Sequence, residues 1–225
     1  MRLAVLFCSV VLTGCTLPVV DPGFDSVPLD LDPASFECCR DPDRQPAWFA
    51  DLARSVAEPL DPLFNSGSQT GHLSRHPAAI REVAAQAKPG DILTLASKSH
   101  VTSRMLPGWF THSAVYIGTE AQLRAQGLWY DPAIVPFHAQ ITQGNVVVEG
   151  IGSGVRLVSL STALGERDAV ALHHPALSPA ELQASVSTAL SLVGHAFDFY
   201  YDLETCDRVA CSEVVYRAYP GIAFP

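Results

Sequence analysis

The most informative segment of the chain is Thr205-Cys-Asp-Arg-Val-Ala-Cys-Ser-Glu-Val-Val-Tyr-Arg-Ala-Tyr219, because it places a thiol, Cys211, at the start of an amphipathic helix. Backbone N–H groups and the dipole at a helix start favour the thiolate form of a cysteine. Upstream, Trp109-Phe-Thr-His-Ser-Ala-Val-Tyr-Ile-Gly118 places His112 at the mouth of a short apolar strand. A thiol at a helix start and an imidazole at a strand end are two parts of a cysteine nucleophile site.

A third polar group would orient the imidazole, and Glu149 offers a carboxylate at the end of the strand Val146-Val-Val-Glu149. Glu213 is a rival carboxylate, but two residues past Cys211 on a helix it points away from the face that Cys211 occupies. A lone helical cysteine is usually a small buried apolar residue. The combination of Cys211, His112 and Glu149 instead predicts a thiol site.

Five short motifs follow one another over more than half of the chain. They are Lys88-Pro-Gly-Asp-Ile-Leu93, Phe110-Thr-His-Ser-Ala-Val-Tyr-Ile-Gly118, Val148-Glu-Gly150 with Gly154-Val155, Gly194-His-Ala-Phe-Asp198 and Cys211-Ser-Glu-Val-Val-Tyr216. In this order they resemble the motifs of the permuted NlpC-type papain-like amidases of the YaeF/YiiX branch. The resemblance implies a Cys nucleophile, a His base and a third polar residue, which map onto Cys211, His112 and Glu149. The order His, Glu, Cys reverses the usual papain order, in which the nucleophile comes first.

One motif departs from the pattern of that family. Where such proteins often carry Tyr before the Asp of a Gly-x-x-Tyr-Asp motif, this chain has Phe197. If the Tyr hydroxyl helps to bind the oxyanion or the substrate, its loss bears on rate or specificity. We expect Trp109 and Phe110, just before His112, to border a substrate cleft together with Phe197 and Asp198.

Apolar runs and turn signals predict an α+β fold, with a small antiparallel sheet or half-barrel flanked by helices. The predicted strands are nearly all apolar, so at least one face of the sheet should be covered. Capping-box spacings at Thr119 and Ser178 predict two helix starts, and Gly194 marks the end of the second helix. The predicted strands span residues 91–96, 113–118, 145–149, 155–159 and 169–173, and the longer predicted helices span 46–57, 77–87 and 179–193.

The N-terminus predicts a lipid anchor. Residues 1–14 hold one basic residue, Arg2, and an apolar run that suits a signal peptide and is too short to span a bilayer. Leu12-Thr-Gly-Cys15 resembles a bacterial lipobox, so Cys15 would carry the acyl chains of a stable anchor. An ordinary secretory signal cut elsewhere is the alternative. Thr16, and not Asp, follows the cysteine, so the resemblance to outer-membrane lipoproteins favours the outer membrane, with the protein facing the periplasm.

The rest of the chain divides into a tether and a domain. Residues 15–45 are dense in Pro and Asp, which predicts a lipidated tether and an N-terminal wrap, and residues 46–225 would form the catalytic domain. A hydrophobic content of 48% with 16% charged residues fits a compact globule. The net charge of −9, or −10 once Arg2 leaves with the signal, argues against nucleic acid as a partner.

Neither a metal nor a cofactor is expected from the motifs. His173 and His174 are neighbours on a strand, so their side chains point to opposite faces and cannot converge on one ion. Gly150-Ile-Gly-Ser-Gly154 lacks the Lys-Ser/Thr pair of a phosphate loop and lies between two strands, which predicts a hairpin turn.

The remaining cysteines leave the disulfide pattern open. Cys8 departs with the signal and Cys15 is acylated, so with Cys211 kept for chemistry three thiols remain in an oxidising periplasm. Pairing of Cys206 with Cys38 or Cys39 would tie the N-terminal wrap beside the nucleophile. A vicinal Cys38–Cys39 bridge is a strained alternative, and a Cys206–Cys211 bridge would block the nucleophile.

The sequence therefore predicts a lipid-anchored thiol hydrolase that forms an acyl-enzyme. The resemblance implies amide bonds in cell-wall peptide or peptide-like substrates. Two alternatives stay open at this point. Related permuted enzymes act on lipid acyl groups, so the same site could deacylate a lipid or transfer its acyl group. A catalytically silent lipoprotein that binds wall peptide is the other alternative, and Phe197 favours it.

Overall fold

The computed structural model describes residues 70–97, 109–198 and 207–221, all of which belong to the unit Cys38–Pro225. Several sequence predictions lie outside these described residues. They are the signal peptide, the lipobox with Cys15, the tether, the helix over 46–57, and the candidate disulfide cysteines Cys38, Cys39 and Cys206.

Within the described residues, five antiparallel strands form one open sheet, as the sequence predicts. The strands are β1 (Asp91–Ala96), β2 (His112–Tyr116), β3 (Asn145–Ile151), β4 (Gly154–Ser159) and β5 (Ala169–His173). Their order across the sheet is β4-β3-β2-β1-β5. β1 and β5 have the predicted bounds, whereas β2 begins one residue early at His112 and β3 runs on to Ile151. The predicted turn at 150–154 is confirmed as a β3–β4 hairpin in which Ile151 pairs with Gly154.

Six α-helices accompany these strands in the described part of the chain. They are α1 (Pro77–Gln86), α2 (Glu120–Ala125), α3 (His138–Thr142), α4 (Leu160–Gly165), α5 (Pro179–Ser191) and α6 (Cys211–Ala218), with short 3-10 helices at His72–Arg75 and Val135–Phe137. Both predicted capping boxes are confirmed, at Thr119 for α2 and at Ser178 for α5. α5 ends two residues before the predicted end, and Gly194 follows with a φ of +94°. No helix in the described ranges combines the length and apolar character that crossing a bilayer would require.

The apolar strands bury side chains on both faces of the sheet. One buried cluster joins Ile92, Val115 and Val148 to side chains of α5 and α6. The other joins Leu93, Ala114, Tyr116 and Val147 to side chains of α4 and of the 3-10 helix at His72–Arg75. Alternate residues of a strand point to opposite faces, so a strand covered on both sides has an almost continuous apolar sequence. The sheet is thus the middle layer between two sets of helices, and α6 lies directly against β2 and β3.

Candidate active site

The thiol of Cys211 belongs to the first residue of α6, with Ala210 as the N-cap residue. The start of this helix approaches β3 closely at Gly150. A Cβ atom added to Gly150 would lie 3.2 Å from the Cys211 nitrogen and 3.3 Å from the Ala210 carbonyl carbon. Only a residue without a side chain gives the helix start this position beside the strand.

The chain that leads into α6 is held by backbone hydrogen bonds to the β3–β4 hairpin. The Val155 amide donates to the His195 carbonyl at 2.9 Å, and the Gly194 amide donates to the Val155 carbonyl at 2.9 Å. The Val209 amide then donates to the Ala196 carbonyl, also at 2.9 Å. The segment 194–196 therefore connects the hairpin to the residue two places before the nucleophile. Two of the sequence motifs, Gly154-Val155 and Gly194–Asp198, thus serve to place α6.

His112, the first residue of β2, lies between the thiol and the carboxylate. Its Nε2 atom is 2.9 Å from Oε2 of Glu149, and its ring also interacts with the side chain of Cys211. Because Nε2 faces Glu149, Nδ1 is the ring nitrogen left for the thiol. The His112 side chain is only 10% exposed, which keeps both contacts in a region with little water.

The thiol and the imidazole favour their charged forms. Burial opposes ionisation of Cys211, but the hydrogen bond and the charge of His112, with backbone N–H groups of Ser113 and Ser212, lower the pKa of the thiol. Burial likewise opposes protonation of His112, but its bonds to Cys211 and Glu149 raise the pKa of the imidazole. Opposite shifts of this kind stabilise a thiolate–imidazolium pair.

Glu149 reaches His112 because of the strand register. Glu149 pairs with Ala114 on β2, and His112 lies two residues from Ala114 on the same side of that strand. A side chain can reach such a diagonal neighbour across an antiparallel pair. The Glu149 side chain is fully buried. Its register partner on the other side is Arg156 of β4.

Two arginines also contact the Glu149 carboxylate. Arg156 donates to Oε1 from Nε at 2.9 Å and from Nη2 at 2.6 Å, and Nη2 of Arg167 lies 3.5 Å from Oε2. Burial alone would raise the pKa of Glu149, but the bond to His112 and the three positive partners bring it down to about 2. The carboxylate is therefore ionised at every pH at which the protein would work.

This geometry can be compared with known proteins. The family model described as permuted papain-like amidase enzyme, YaeF/YiiX, C92 family, matches residues 86–225, which is more than half of the chain. The chain belongs to this family. It is therefore an amidase- or peptidase-type hydrolase, and the resemblance noted from its motifs is confirmed. No curated protein and no solved structure gave a significant match.

Two charged residues of this permuted amidase were missed in the sequence. Arg156 stands opposite Glu149 in a hairpin that the sequence did predict, so counting the hairpin register would have found it. Arg167 follows α4, a six-residue helix that shows too few turns for a readable apolar period. No local pattern points to Arg167, because its contact with Glu149 depends on how α4 packs.

The expected cleft residues of the amidase differ in exposure. Trp109 and Phe110 are 46% and 47% exposed and directly precede the strand that carries His112, while Phe197 is half-buried. Asp198 is fully buried. It lies beside Glu213, and burial together with the Asp198 carboxyl raises the pKa of Glu213 to about 7.

The side chains that the sequence argued against, as a rival carboxylate or as a metal pair, bind other groups. Glu213 accepts a hydrogen bond from Nη2 of Arg217 at 2.8 Å, on the side of α6 away from the thiol. His173 Nε2 lies 2.9 Å from the Thr94 hydroxyl, whereas His174 Nδ1 lies 2.8 Å from Asp91. In the described ranges, the His, Cys, Asp and Glu side chains form no cluster suited to a metal ion.

Proposed function

We propose that the protein is a cysteine amidase in which Cys211 is the nucleophile, His112 the general acid and base, and Glu149 the residue that orients the imidazole. The observation that carries this proposal is the position of His112, whose Nε2 is 2.9 Å from Oε2 of Glu149 and whose ring also interacts with the Cys211 thiol. The lowered pKa of the thiol and the raised pKa of the imidazole support the same roles.

The reaction begins with the thiolate–imidazolium pair. The Cys211 sulfur attacks the carbonyl carbon of the substrate, and the electron pair of the C=O bond moves to the oxygen. As the C–N bond breaks, imidazolium gives its proton to the nitrogen, so an amine leaves and a thioester remains. Water then attacks the thioester while His112 takes its proton, the C–S bond breaks, and a carboxylic acid leaves. This step restores the thiolate and the imidazolium.

Two further groups serve the charged intermediates. Glu149 holds the imidazole in one tautomer, with Nε2 on the carboxylate, and stabilises the imidazolium. The N–H of Cys211 lies in the first turn of α6, where helix amides lack intrahelical acceptors, and would supply part of the oxyanion hole.

The substrate and the location extend the proposal. We expect amide bonds of cell-wall peptide or peptide-like molecules, at the periplasmic face of the outer membrane, with the enzyme held there by lipid on Cys15. The lipobox-like sequence Leu12-Thr-Gly-Cys15 supports the anchor.

A second candidate is deacylation of a lipid, or transfer of its acyl group, at the same thiol. Two half-exposed aromatic side chains, Trp109 and Phe110, stand next to the strand that carries His112. Exposed aromatic side chains of this kind suit an acyl chain as well as an apolar peptide side chain. The lowered pKa of the Cys211 thiol and the raised pKa of the His112 imidazole favour an enzyme over a silent binding protein, because binding alone has no need of such shifts.

The decisive experiment is incubation of the purified protein with wall fragments and, separately, with phospholipids, followed by mass spectrometry. Amidase activity predicts two products from a wall peptide whose masses sum to the substrate plus one water. Cys211→Ser should give no products, while the neighbouring Ser212→Ala should retain activity because its side chain is exposed. Equal cleavage by wild type and Cys211→Ser would contradict the proposal, and products from phospholipid alone would select the second candidate.

A further inference from the structure

Arg167 is a buried charged residue beside the catalytic groups, and the reaction steps above give it no role. Its side chain is 8% exposed, and one guanidinium nitrogen, Nη1, donates to the buried Ser97 hydroxyl at 3.0 Å. The other terminal nitrogen, Nη2, lies 3.5 Å from Oε2 of Glu149. Burying an ion such as a guanidinium costs on the order of several kcal/mol of folding free energy. A guanidinium buried beside the reacting groups is therefore a candidate for a functional role.

The two arginines on Glu149 take different oxygen atoms. Arg156 makes two short hydrogen bonds to Oε1, which fix the plane of the carboxylate and leave Oε2 facing His112. Arg167 approaches the same oxygen as His112, Oε2, but its Nη2 atom is 3.5 Å away, which is longer than a good hydrogen bond. Arg156 therefore mainly fixes the orientation of the Glu149 carboxylate, whereas Arg167 mainly acts on it through its positive charge.

That charge opposes the imidazolium. A positive guanidinium on the far side of Oε2 weakens the attraction between the carboxylate and protonated His112, and its field lowers the pKa of His112 against the bonds that raise it. A general base works best when its pKa lies near the working pH. If Glu149 held the imidazolium unopposed, His112 would be slow to lose its proton and to activate water in the second half of the reaction.

The position of Arg167 is set by residues upstream of the family match, which begins at residue 86. The Leu73 amide donates to the Arg167 carbonyl at 2.9 Å, and the Gly71 amide donates to the Gly165 carbonyl at 2.9 Å. A Cβ on Gly71 would lie 2.3 Å from the backbone nitrogen and oxygen of Arg167, so only glycine allows this contact. The segment Gly71–Leu73 thus packs on the backbone that carries the guanidinium.

We propose that Arg167 is a positioning residue that acts through Glu149 to limit how firmly the carboxylate holds protonated His112, and that the segment Gly71–Leu73 fixes Arg167 for this task. The inference rests on the proposed catalytic use of His112. The charged groups of the described residues that act on His112 are Cys211 from α6, Glu149 from β3 and Arg167 from the turn after α4, while Arg156 from β4 acts on Glu149.

The test is an NMR titration of His112 in the full chain, with its signal assigned by loss in His112→Ala. Arg167→Gln should move the His112 pKa upward, because it removes the opposing charge while Arg156 still binds Glu149. Arg167→Lys keeps the charge and should stay close to wild type. Arg124→Gln removes the same charge from an exposed ion pair and should leave His112 unchanged. Gly71→Ala should shift His112 in the same direction as Arg167→Gln, since the added methyl displaces the Arg167 backbone.

Activity provides a second readout. In Arg167→Gln the alkaline limb of the kcat/KM profile should move to higher pH together with the His112 titration, which a simple loss of folded protein would not produce. A folded Arg167→Gln variant whose His112 titrates as in wild type would overturn the inference. Should Arg167→Gln not fold, Gly71→Ala alone decides, and an unshifted His112 in that variant overturns the inference equally.

The titration needs no turnover, so the two proposals fail separately. If wild-type protein shows no hydrolysis that depends on Cys211 but Arg167→Gln still shifts His112, the electrostatic coupling stands and the proposed function falls. If hydrolysis depends on Cys211 but Arg167→Gln leaves both His112 and the alkaline limb in place, the function stands and Arg167 has no positioning role.

Discussion

The backbone of Gly150 lies against the amide of Cys211, with 3.2 Å between the Cys211 nitrogen and the place where a Cβ of residue 150 would be. Gly150 directly follows Glu149, so one strand carries the orienting carboxylate and also supports the helix that presents the thiol. Backbone atoms form this contact on the α6 side, so a methyl group there can be accommodated only if the helix start moves away from β3.

Gly150→Ala should therefore lower activity more than stability. A displacement of a few tenths of an ångström at Cys211 misaligns the thiol with His112, and we expect kcat/KM to fall by about tenfold, since 1 Å errors of this kind can cost about a hundredfold. The matched control is Gly221→Ala, because a Cβ at Gly221 would meet no atom within 4 Å. Similar kcat/KM values for the two variants would show that the close approach has no catalytic consequence.

Glu149→Gln should cost stability as well as rate. The substitution leaves two guanidinium groups beside a neutral amide in a buried site, and removing one partner of a buried ion pair costs about 3 kcal/mol. We expect a lower urea midpoint at pH 7 and a fall in kcat of about a hundredfold or more, because the imidazole loses its orienting partner. Glu120→Gln, which removes an exposed partner of Arg124, should change stability by less than about 0.5 kcal/mol.

The stability that the Glu149 carboxylate contributes should decrease at acidic pH. The Glu149 pKa is about 2 in the folded protein, against an ordinary value of 4.5. The carboxylate therefore stabilises the fold above pH 4.5, and this stabilisation is lost as the pH falls from 4.5 towards 2. The stability difference between wild type and Glu149→Gln should shrink over this interval, and a difference that stays constant down to pH 2 would contradict the assignment.

The sequence predicted those parts of the fold that local patterns control. The ends of all five described strands were predicted to within two residues, because short apolar runs bounded by turn residues are typical of strands. Two capping boxes placed the starts of α2 and α5. The short helices α3 and α4 were missed, since five or six residues carry too little periodicity.

The residues of the candidate site also fall into those that the local sequence marks and those that only packing brings together. Cys211 and His112 stand at element boundaries that the sequence marks, Glu149 lies two residues before the end of β3, and the structure brings the three together. Arg167 contacts Glu149 through packing of distant segments, which one sequence does not encode locally. The burial of Asp198 beside Glu213 likewise depends on packing between separate segments, which the local sequence does not show.

Glu213 should make the protein less stable as the pH rises. Burial and the neighbouring Asp198 carboxyl raise the folded-state pKa of Glu213 to about 7, above its ordinary value of 4.5. The folded state then binds more protons than the unfolded state between these two values, so stability declines with increasing pH over that interval. Glu213→Gln should remove the decline, and its amide oxygen can still accept from Arg217. Urea unfolding at pH 5 and pH 8 measures the effect, and an equal decline in both proteins would contradict it.

Lipid attachment is tested at Cys15. Because Leu12-Thr-Gly-Cys15 has the spacing of a lipobox, Cys15→Ala should incorporate no labelled fatty acid and should remain an uncleaved precursor. Cys8→Ala, a cysteine substitution within the apolar run of the signal, should be processed and labelled like wild type. Normal processing and membrane extraction of the Cys15→Ala protein would favour an ordinary secretory signal instead.

The ionised thiol gives the most direct test of the proposed site. His112 and the backbone N–H groups of Ser113 and Ser212 lower the pKa of Cys211 despite its burial, so the thiolate should persist at a pH well below the free-cysteine value of about 8.5. Iodoacetamide should then label Cys211 at mildly acidic pH, as followed by peptide mapping. His112→Ala should move the midpoint of labelling to higher pH and reduce turnover by at least about 10³-fold. His138→Ala, at the start of α3, is the matched control and should leave the midpoint in place. A Cys211 that reacts like a free thiol, and does so equally in wild type and His112→Ala, would exclude the ion pair and with it the proposed nucleophile.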